Sequence, residues 1–161
     1  MYEAKFSQSE DGKVLTVERE FDAPLNRVWD AHTQSELLEQ WWAPLPWKAV
    51  TKKFDFREGG YWHYYMSGPD GERHDAGLDY HGIETGKSFY ADDYFANEEG
   101  GKDTALPGTQ WKVAFSDRDG KTKLVSTITF ASAEDLEKLT AMGMKEGYAM
   151  GLDQLEQLVI K

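Results

Sequence analysis

Cysteine is absent from this chain of 161 residues, which removes disulfides, thiolate nucleophiles and thiolate metal sites from consideration. Long apolar runs are missing too. None approaches the ~20 residues a membrane span needs, and the N-terminal MYEAKFSQSEDGK lacks the apolar centre of a signal peptide. The expectation is a soluble, cytoplasmic protein with no membrane partner. Basic residues are scarce: 18 Lys and Arg stand against 29 Asp and Glu, for a formal net charge of -11. That balance repels a phosphate backbone and leaves no basic stripe to offset the repulsion, so nucleic acid is not an expected partner. There is no Gly-x-Ser-x-Gly elbow, no His-Glu-x-x-His pair and no Walker-type glycine loop. No catalytic residue, metal ligand or cofactor is assigned from motifs.

What is abundant is aromatic side chain, 14% of residues with six tryptophans. In a chain long enough for one domain, spanning 1–161, such content implies a wide aromatic interior or an exposed binding surface. The segment from Phe21 to Pro44 (FDAPLNRVWDAHTQSELLEQWWAP) is the most informative. It follows an alternating strand, Val14 to Phe21, and Asp22 and Pro24 supply helix-start chemistry. Val28, Trp29 and His32 fall at helical spacing. A second start at Ser35 to Leu38 leads through Leu37, Leu38, Trp41 and Trp42 to Pro44 and Pro46, which end the helix. Two short helices beside so much indole imply a pocket or a core seam.

After Pro46 the pattern is that of antiparallel strands and turns. Expected strands are Lys48 to Phe56, Tyr61 to Met66, Gly77 to Ile83, Ser88 to Phe95, Thr109 to Ser116 and Lys123 to Phe130. Trp62, Tyr64 and Met66 share one face of their strand, with His63 and Tyr65 on the other. Gly68-Pro69-Asp70-Gly71 is a turn, and NEEGGKDTALPG at 97–108 is a long polar loop. Trp111, Val113 and Phe115 alternate inward on a hairpin closed by residues 117–121.

Ser132-x-x-Asp135 is a shortened capping box opening a C-terminal helical region. Met144, Tyr148, Leu152, Leu155 and Val159 then make one apolar stripe, which places their helix across the sheet. Gly143, Gly147 and Gly151 line an adjoining stripe, although glycine costs about 1 kcal/mol against alanine inside a helix. Either the backbone packs closely on its neighbours or the helix is thinned to leave room beneath it.

These motifs in this order resemble the START-like helix-grip superfamily, also called SRPBCC or Bet v-like. Within it they are similar to the bacterial domains named as homologues of the activator of the heat shock protein 90 ATPase. The resemblance runs from about Leu15 to Val159, through FDAP…VWDA at 21–31, LLEQWWAP at 37–44, FDFREGGYWHYYM at 54–66 and DYFANEEG at 93–100. It continues through TITFASAEDLEKL at 127–139 and GMKEGYAMGLDQLEQL at 143–158. It implies an α+β helix-grip fold: a curved antiparallel sheet of about six to seven strands around a long C-terminal helix, with two short helices after the first strand and a cavity under the grip. Such folds hold lipids, sterols, hormones or polyketides, and some perform cyclisation or dehydration. In the eukaryotic activator a domain of this kind binds the chaperone.

The cavity candidates are Trp29, Trp41, Trp42, Phe56, Trp62, Tyr64, Met66, Tyr80, Tyr94, Trp111, Phe115, Met142, Tyr148 and Met150. Bulky rings with a few hydroxyl and indole donors suit a small hydrophobic molecule with one polar handle. The alternative is that the rings only fill the core. His63, His74 and His81 are close enough in the strand order to be weighed as a metal or acid-base set, but the phase of His63 turns it away from Trp62 and Tyr64. His32 is read as a packing histidine. Among the carboxylates, a buried one of Glu58, Asp79 and Asp93 would carry a raised pKa and could act as a base. Three functions follow: a non-enzymatic carrier or sensor of a hydrophobic molecule, a regulator of a heat shock protein 90 homologue, or a cyclase or dehydratase using the same cavity. The chain is expected as a monomer or a homodimer joined at a sheet edge or at the cavity mouth.

Overall fold

A computed structural model describes residues 2–160. One sheet holds eight antiparallel strands in the order β1-β2-β8-β7-β6-β5-β4-β3. They are β1 (Lys5–Gln8), β2 (Val14–Phe21), β3 (Lys48–Asp55), β4 (Tyr61–Ser67), β5 (Arg73–Glu84), β6 (Ser88–Phe95), β7 (Thr109–Arg118) and β8 (Lys121–Phe130). Helices α1 (Leu25–Thr33) and α2 (Ser35–Leu38) join β2 to β3, while α3 (Ala133–Ala141) and α4 (Met144–Val159) follow β8. Because β2 and β3 lie towards opposite sides of the sheet, the two short helices cross one face of it, α1 over β7 and β8 and α2 against β3. The long last helix packs on β2 and α1. The architecture is α+β and consistent with a helix grip.

Period-two alternation explains most of the strands. In β2 the buried positions are Leu15, Val17, Arg19 and Phe21, and in β8 they include Leu124, Ser126, Ile128 and Phe130. Those inward faces, with Trp62, Tyr64, Leu78, Tyr80, Phe89, Trp111 and Phe115 from the other strands, form one aromatic-rich core under the helices. The β7–β8 hairpin turns on two residues, Asp119 at φ 56° and Gly120 at φ 85°, with Arg118 paired to Lys121. Two positive φ values in a two-residue loop match the twist of the flanking strands.

Several expectations need correction. There are eight strands rather than six or seven, because KFSQ of β1 is an edge strand that covers almost no core and so carries no apolar alternation. Strand β5 begins at Arg73 rather than Gly77, its charged start pairing with β4 from Ser67↔Arg73 onward. Trp41 and Trp42 lie beyond α2 in a turn, not in the helix. Asp22 does not cap α1; Pro24 is the N-cap residue, and the Asp22 carboxylate instead accepts from Tyr2 and pairs with Lys121. Ser132 does cap, its hydroxyl accepting from the Asp135 amide at 3.1 Å.

The three glycines along α4, at 143, 147 and 151, have three different reasons. Gly143 has φ 92° and breaks the chain between α3 and α4, a conformation that favours glycine. A Cβ on Gly151 would sit 3.1 Å from the Trp41 carbonyl oxygen, so close packing explains it. A Cβ on Gly147 would meet only Pro44, at 3.9 Å, so this glycine leaves room.

Candidate functional site: a groove under the last helix

The room beside Gly147 belongs to a groove of about 330 Å³ between strands β4 to β7 and the α3–α4 junction. Tyr64 and Met66 enter it from β4, Asp93 from β6, Thr109 and Trp111 from β7, Met144 and Tyr148 from α4, and Trp42 with Pro44 from the turn after α2. Its size falls at the lower end of the range for small-molecule sites. Met142, which borders it, is 56% exposed and marks the opening to solvent.

The rings are held by their own polar atoms. Trp42 Nε1 donates to the Tyr64 hydroxyl at 2.7 Å, Trp111 Nε1 donates to Thr109 Oγ1 at 2.9 Å, and the Tyr148 hydroxyl shares a 2.8 Å hydrogen bond with Ser126. Tyr64 also stacks on Trp62 at 4.0 Å, and Trp111 meets Tyr148 edge to face at 5.1 Å. Aromatic pairs of this geometry add about 0.5–1.5 kcal/mol each beyond their buried area, so the wall is stiff. Burial pushes the Tyr64 phenol well up and the Tyr148 phenol up to about 12, which keeps both neutral hydrogen-bonding groups.

Asp93 is the distinctive polar group. Its strand alternation puts it on the same face as Phe89 and Ala91, and Thr109 Oγ1 donates to its Oδ2 at 3.4 Å. Burial pushes its carboxyl up to about 7, against the opposing pull of hydrogen bonds from Thr109, Trp111 and the Tyr94 amide. Among the described residues no lysine or arginine borders the groove. The other carboxylate at its rim, Asp75, is already neutralised: Arg73 donates to it at 2.7 and 3.1 Å, and His63 Nε2 lies 3.3 Å away. Of the three carboxylates considered as bases, Asp93 is therefore the one in the cavity. Glu58 accepts from the exposed Gly82 amide, and Asp79 binds the Tyr94 hydroxyl and Lys102.

Behind the groove lies a small chamber of about 20 Å³, and Trp42, Trp111 and Tyr148 wall both spaces. His32 faces this chamber. Its Nδ1 donates to the Val28 carbonyl at 2.8 Å, while Nε2 has no partner. Burial pulls its pKa down to about 4, so the ring is neutral with the proton on Nδ1.

The aromatic candidates divide among these places. Trp42, Tyr64, Met66, Trp111, Met142 and Tyr148 line the groove, and Tyr80 lines the inner chamber. Tyr94 borders the groove, but its ring lies across Gly77 and its hydroxyl donates to Asp79, so the side chain is spent on the outer face. Trp29, Trp41, Phe56, Trp62 and Phe115 are packed in the core and do not border the groove, and Met150 is exposed away from it. Asp93 and Thr109 were missed as lining residues, although a carboxylate in register with Phe89 and Ala91 is a signal of a polar group on an apolar face.

The histidines do not converge. His63 is on the outer face, as its phase requires, yet it is buried because Gly100 of the 97–108 loop lies over its ring. His74 borders the groove with its ring tilted against Trp47 at 5.5 Å, and His81 stacks with Tyr90 beside Asp92. Among the described residues no three His, Cys, Asp or Glu side chains are placed to hold a metal, and no helix is long and apolar enough to cross a membrane.

Comparison with known proteins gives a consistent picture. The family model described as Activator of Hsp90 ATPase homolog 1-like protein matches residues 22–159. A search of curated proteins returns no match. Among solved structures, the chain is similar to a Mycobacterium smegmatis protein with 32% identity and a TM-score of 0.88, over 96% of this chain and 95% of that one. It is similar also to an Arthrobacter aurescens protein with 30% identity and a TM-score of 0.90, over 96% and 90%. A Staphylococcus epidermidis protein follows with 30% identity and a TM-score of 0.84, over 96% and 93%.

Proposed function

The chain belongs to the Activator of Hsp90 ATPase homolog 1-like family, and we propose that it binds a small hydrophobic molecule without transforming it. The observation that carries this reading is the groove of about 330 Å³, whose walls are mostly apolar and aromatic and whose roof is thinned at Gly147. A pocket of that kind, with a few fixed polar groups, is how small-molecule sites are ordinarily built. The indole N–H groups and the Tyr148 hydroxyl already have protein partners, so a ligand is recognised by shape and apolar area rather than by many hydrogen bonds. Such a protein would serve as a carrier or a sensor.

A second reading, proton transfer in the same groove, is favoured by Asp93 alone. A carboxyl whose pKa is raised to about 7 is tuned for acid-base work. Against it, the other carboxylate of the groove, Asp75, is held by Arg73, and the imidazole that borders it, His74, lies against the Trp47 ring, whereas cyclase or dehydratase chemistry would need a second acid or base set beside Asp93. Regulation of a heat shock protein 90 homologue draws support from the family description, and no surface feature of the chain adds to it.

Native mass spectrometry of protein purified from its host, joined to tryptophan quenching with a panel of lipophilic compounds, tests the binding reading. A co-purifying small molecule, or saturable quenching that Gly147→Leu abolishes, is the expected result. A protein that arrives empty and is quenched by nothing in the panel overturns it.

A further inference from the structure

We infer that the groove selects a hydrophobic amine, its ammonium group seated against Asp93 and its apolar body against Trp42, Trp111 and Tyr148. This deepens the binding reading above and rests on it.

The argument is one of charge balance. A groove for a fatty acid or another anionic amphiphile would need a cation in its wall, and among the described residues that border it none is Lys or Arg, while the imidazole there, His74, lies against the Trp47 ring. The wall instead contains one carboxylate without a cationic partner, Asp93, for Asp75 is held by Arg73. The lysine nearest in sequence across the loop, Lys102, is turned to Asp79 at 3.7 Å and to the Tyr94 ring at 5.0 Å, on the outer face. Thr109 donates to Asp93 at a long 3.4 Å, and it, the Trp111 indole and the Tyr94 amide offset only part of the effect of burial. A carboxyl placed in apolar surroundings without a cationic partner is costly to ionise. An ammonium group entering beside it would restore the charge balance.

The rest of the wall suits the same guest. Indole and phenol faces attract a cation through their quadrupoles, and Trp42, Trp111, Tyr64 and Tyr148 surround the space in front of Asp93. The two indole N–H groups are committed, Trp42 to Tyr64 and Trp111 to Thr109, so the indoles offer faces and not hydrogen bonds. The formal charge of -11 adds a field that draws cations and repels carboxylates.

The test uses three probes of one shape, 4-phenylbutylamine, 4-phenylbutanol and 4-phenylbutyrate, titrated into the intact protein at about pH 8 and followed by tryptophan quenching and calorimetry. At this pH the amine stays protonated and Asp93 is ionised. The amine should bind about ten- to a hundredfold more tightly than the alcohol, as a charge-assisted hydrogen bond allows, and the butyrate most weakly. In the near-isosteric Asp93→Asn protein the advantage of the amine over the alcohol should disappear. A thermal melt of the variant reports on folding separately. Equal binding of amine and alcohol, a preference for butyrate, or an amine preference that survives Asp93→Asn overturns the inference and leaves the apolar binding reading standing. Failure of both amine and alcohol to bind at millimolar concentration overturns the two together.

Discussion

Arg19 Nη2 on strand β2 lies 3.3 Å from Glu156 Oε1 on helix α4, both side chains almost wholly withdrawn from solvent. The second contact of the same guanidinium, Nη1 to Asp153 Oδ1 at 2.7 Å, reaches a carboxylate that is 52% exposed. One buried cation thus fixes the long helix over the sheet, at the end of α4 away from the groove. Arg19 occupies an inward position of its strand between Val17 and Phe21, where an apolar residue would be usual. Its presence makes the grip a matter of charge matching as well as apolar packing.

Removing Arg19 should therefore be expensive. Arg19→Met leaves Glu156 buried and unpaired and should cost about 3–5 kcal/mol. The double change Arg19→Met/Glu156→Leu removes both buried charges and should recover most of that loss. Asp153→Asn, at an exposed partner, should cost no more than about 1 kcal/mol. Urea unfolding of the three proteins checks the order; equal losses in the single and double variants would show that the pair is not what holds the helix.

The paired glycines of α4 give a cleaner contrast. Gly151→Ala must push its methyl against the Trp41 carbonyl, which is held by Gln154 Nε2 at 3.1 Å on a residue with no solvent exposure. That group cannot give way, so the variant should melt at lower temperature despite the better helix propensity of alanine. Gly147→Ala meets nothing closer than 3.9 Å and should be neutral or gain up to about 1 kcal/mol. Its methyl projects at the groove, so ligand affinity should drop while stability does not. A Gly147→Ala protein that loses stability and keeps its affinity would contradict this division of roles.

How much of this was legible depended on distance along the chain. Alternation within a strand was enough to put Tyr64 and Trp111 on the inner face, and a three-four spacing was enough to bring Tyr148 over them. The same alternation placed His63 outward, but its burial comes from Gly100 in a remote loop, which no local pattern reports. Arg19 was unreadable as a core residue because the acids that neutralise it lie on the far helix. The tryptophans divided between core and groove for a similar reason: Trp41 and Trp42 are adjacent in sequence, yet one donates to the Ala31 carbonyl in the core and the other to Tyr64 at the groove wall. A turn separates them, and a turn's side-chain directions follow no period.

The Trp42–Tyr64 hydrogen bond should also matter to the depth of the site, since Trp42 walls both the groove and the chamber beside His32. Tyr64→Phe removes the acceptor, and water in the groove can reach the freed N–H, so the stability cost should stay near about 1 kcal/mol. The indole, no longer tethered, should sample rotamers that join the two spaces. Near-ultraviolet circular dichroism should lose intensity, and bulkier aryl probes should bind relatively better than in the unaltered protein. An unchanged spectrum and size preference would show that ring packing alone holds Trp42.

Asp93 and His32 should act on stability in opposite directions over one pH window. Burial raises the Asp93 carboxyl from 3.8 to about 7, so between those values the folded protein keeps a proton that the unfolded chain has lost, and stability falls as pH rises. Burial lowers His32 from 6.5 to about 4, so between those values the unfolded chain holds the extra proton, and stability rises with pH. The two slopes largely offset each other from about pH 4 to 6.5. Asp75, held below the usual carboxylate range by Arg73, acts only beneath that window, and the raised phenols of Tyr64 and Tyr148 act only above it. Asp93→Asn should therefore unmask the histidine: its stability should climb from pH 4 to 6.5 where the unaltered protein is nearly flat, and the difference between the two should widen in favour of the variant up to about pH 7. Chemical unfolding at half-unit pH intervals measures both curves. Parallel curves would mean that the Asp93 carboxyl titrates as an ordinary surface acid, and the charge-balance argument for an amine in the groove would lose its footing.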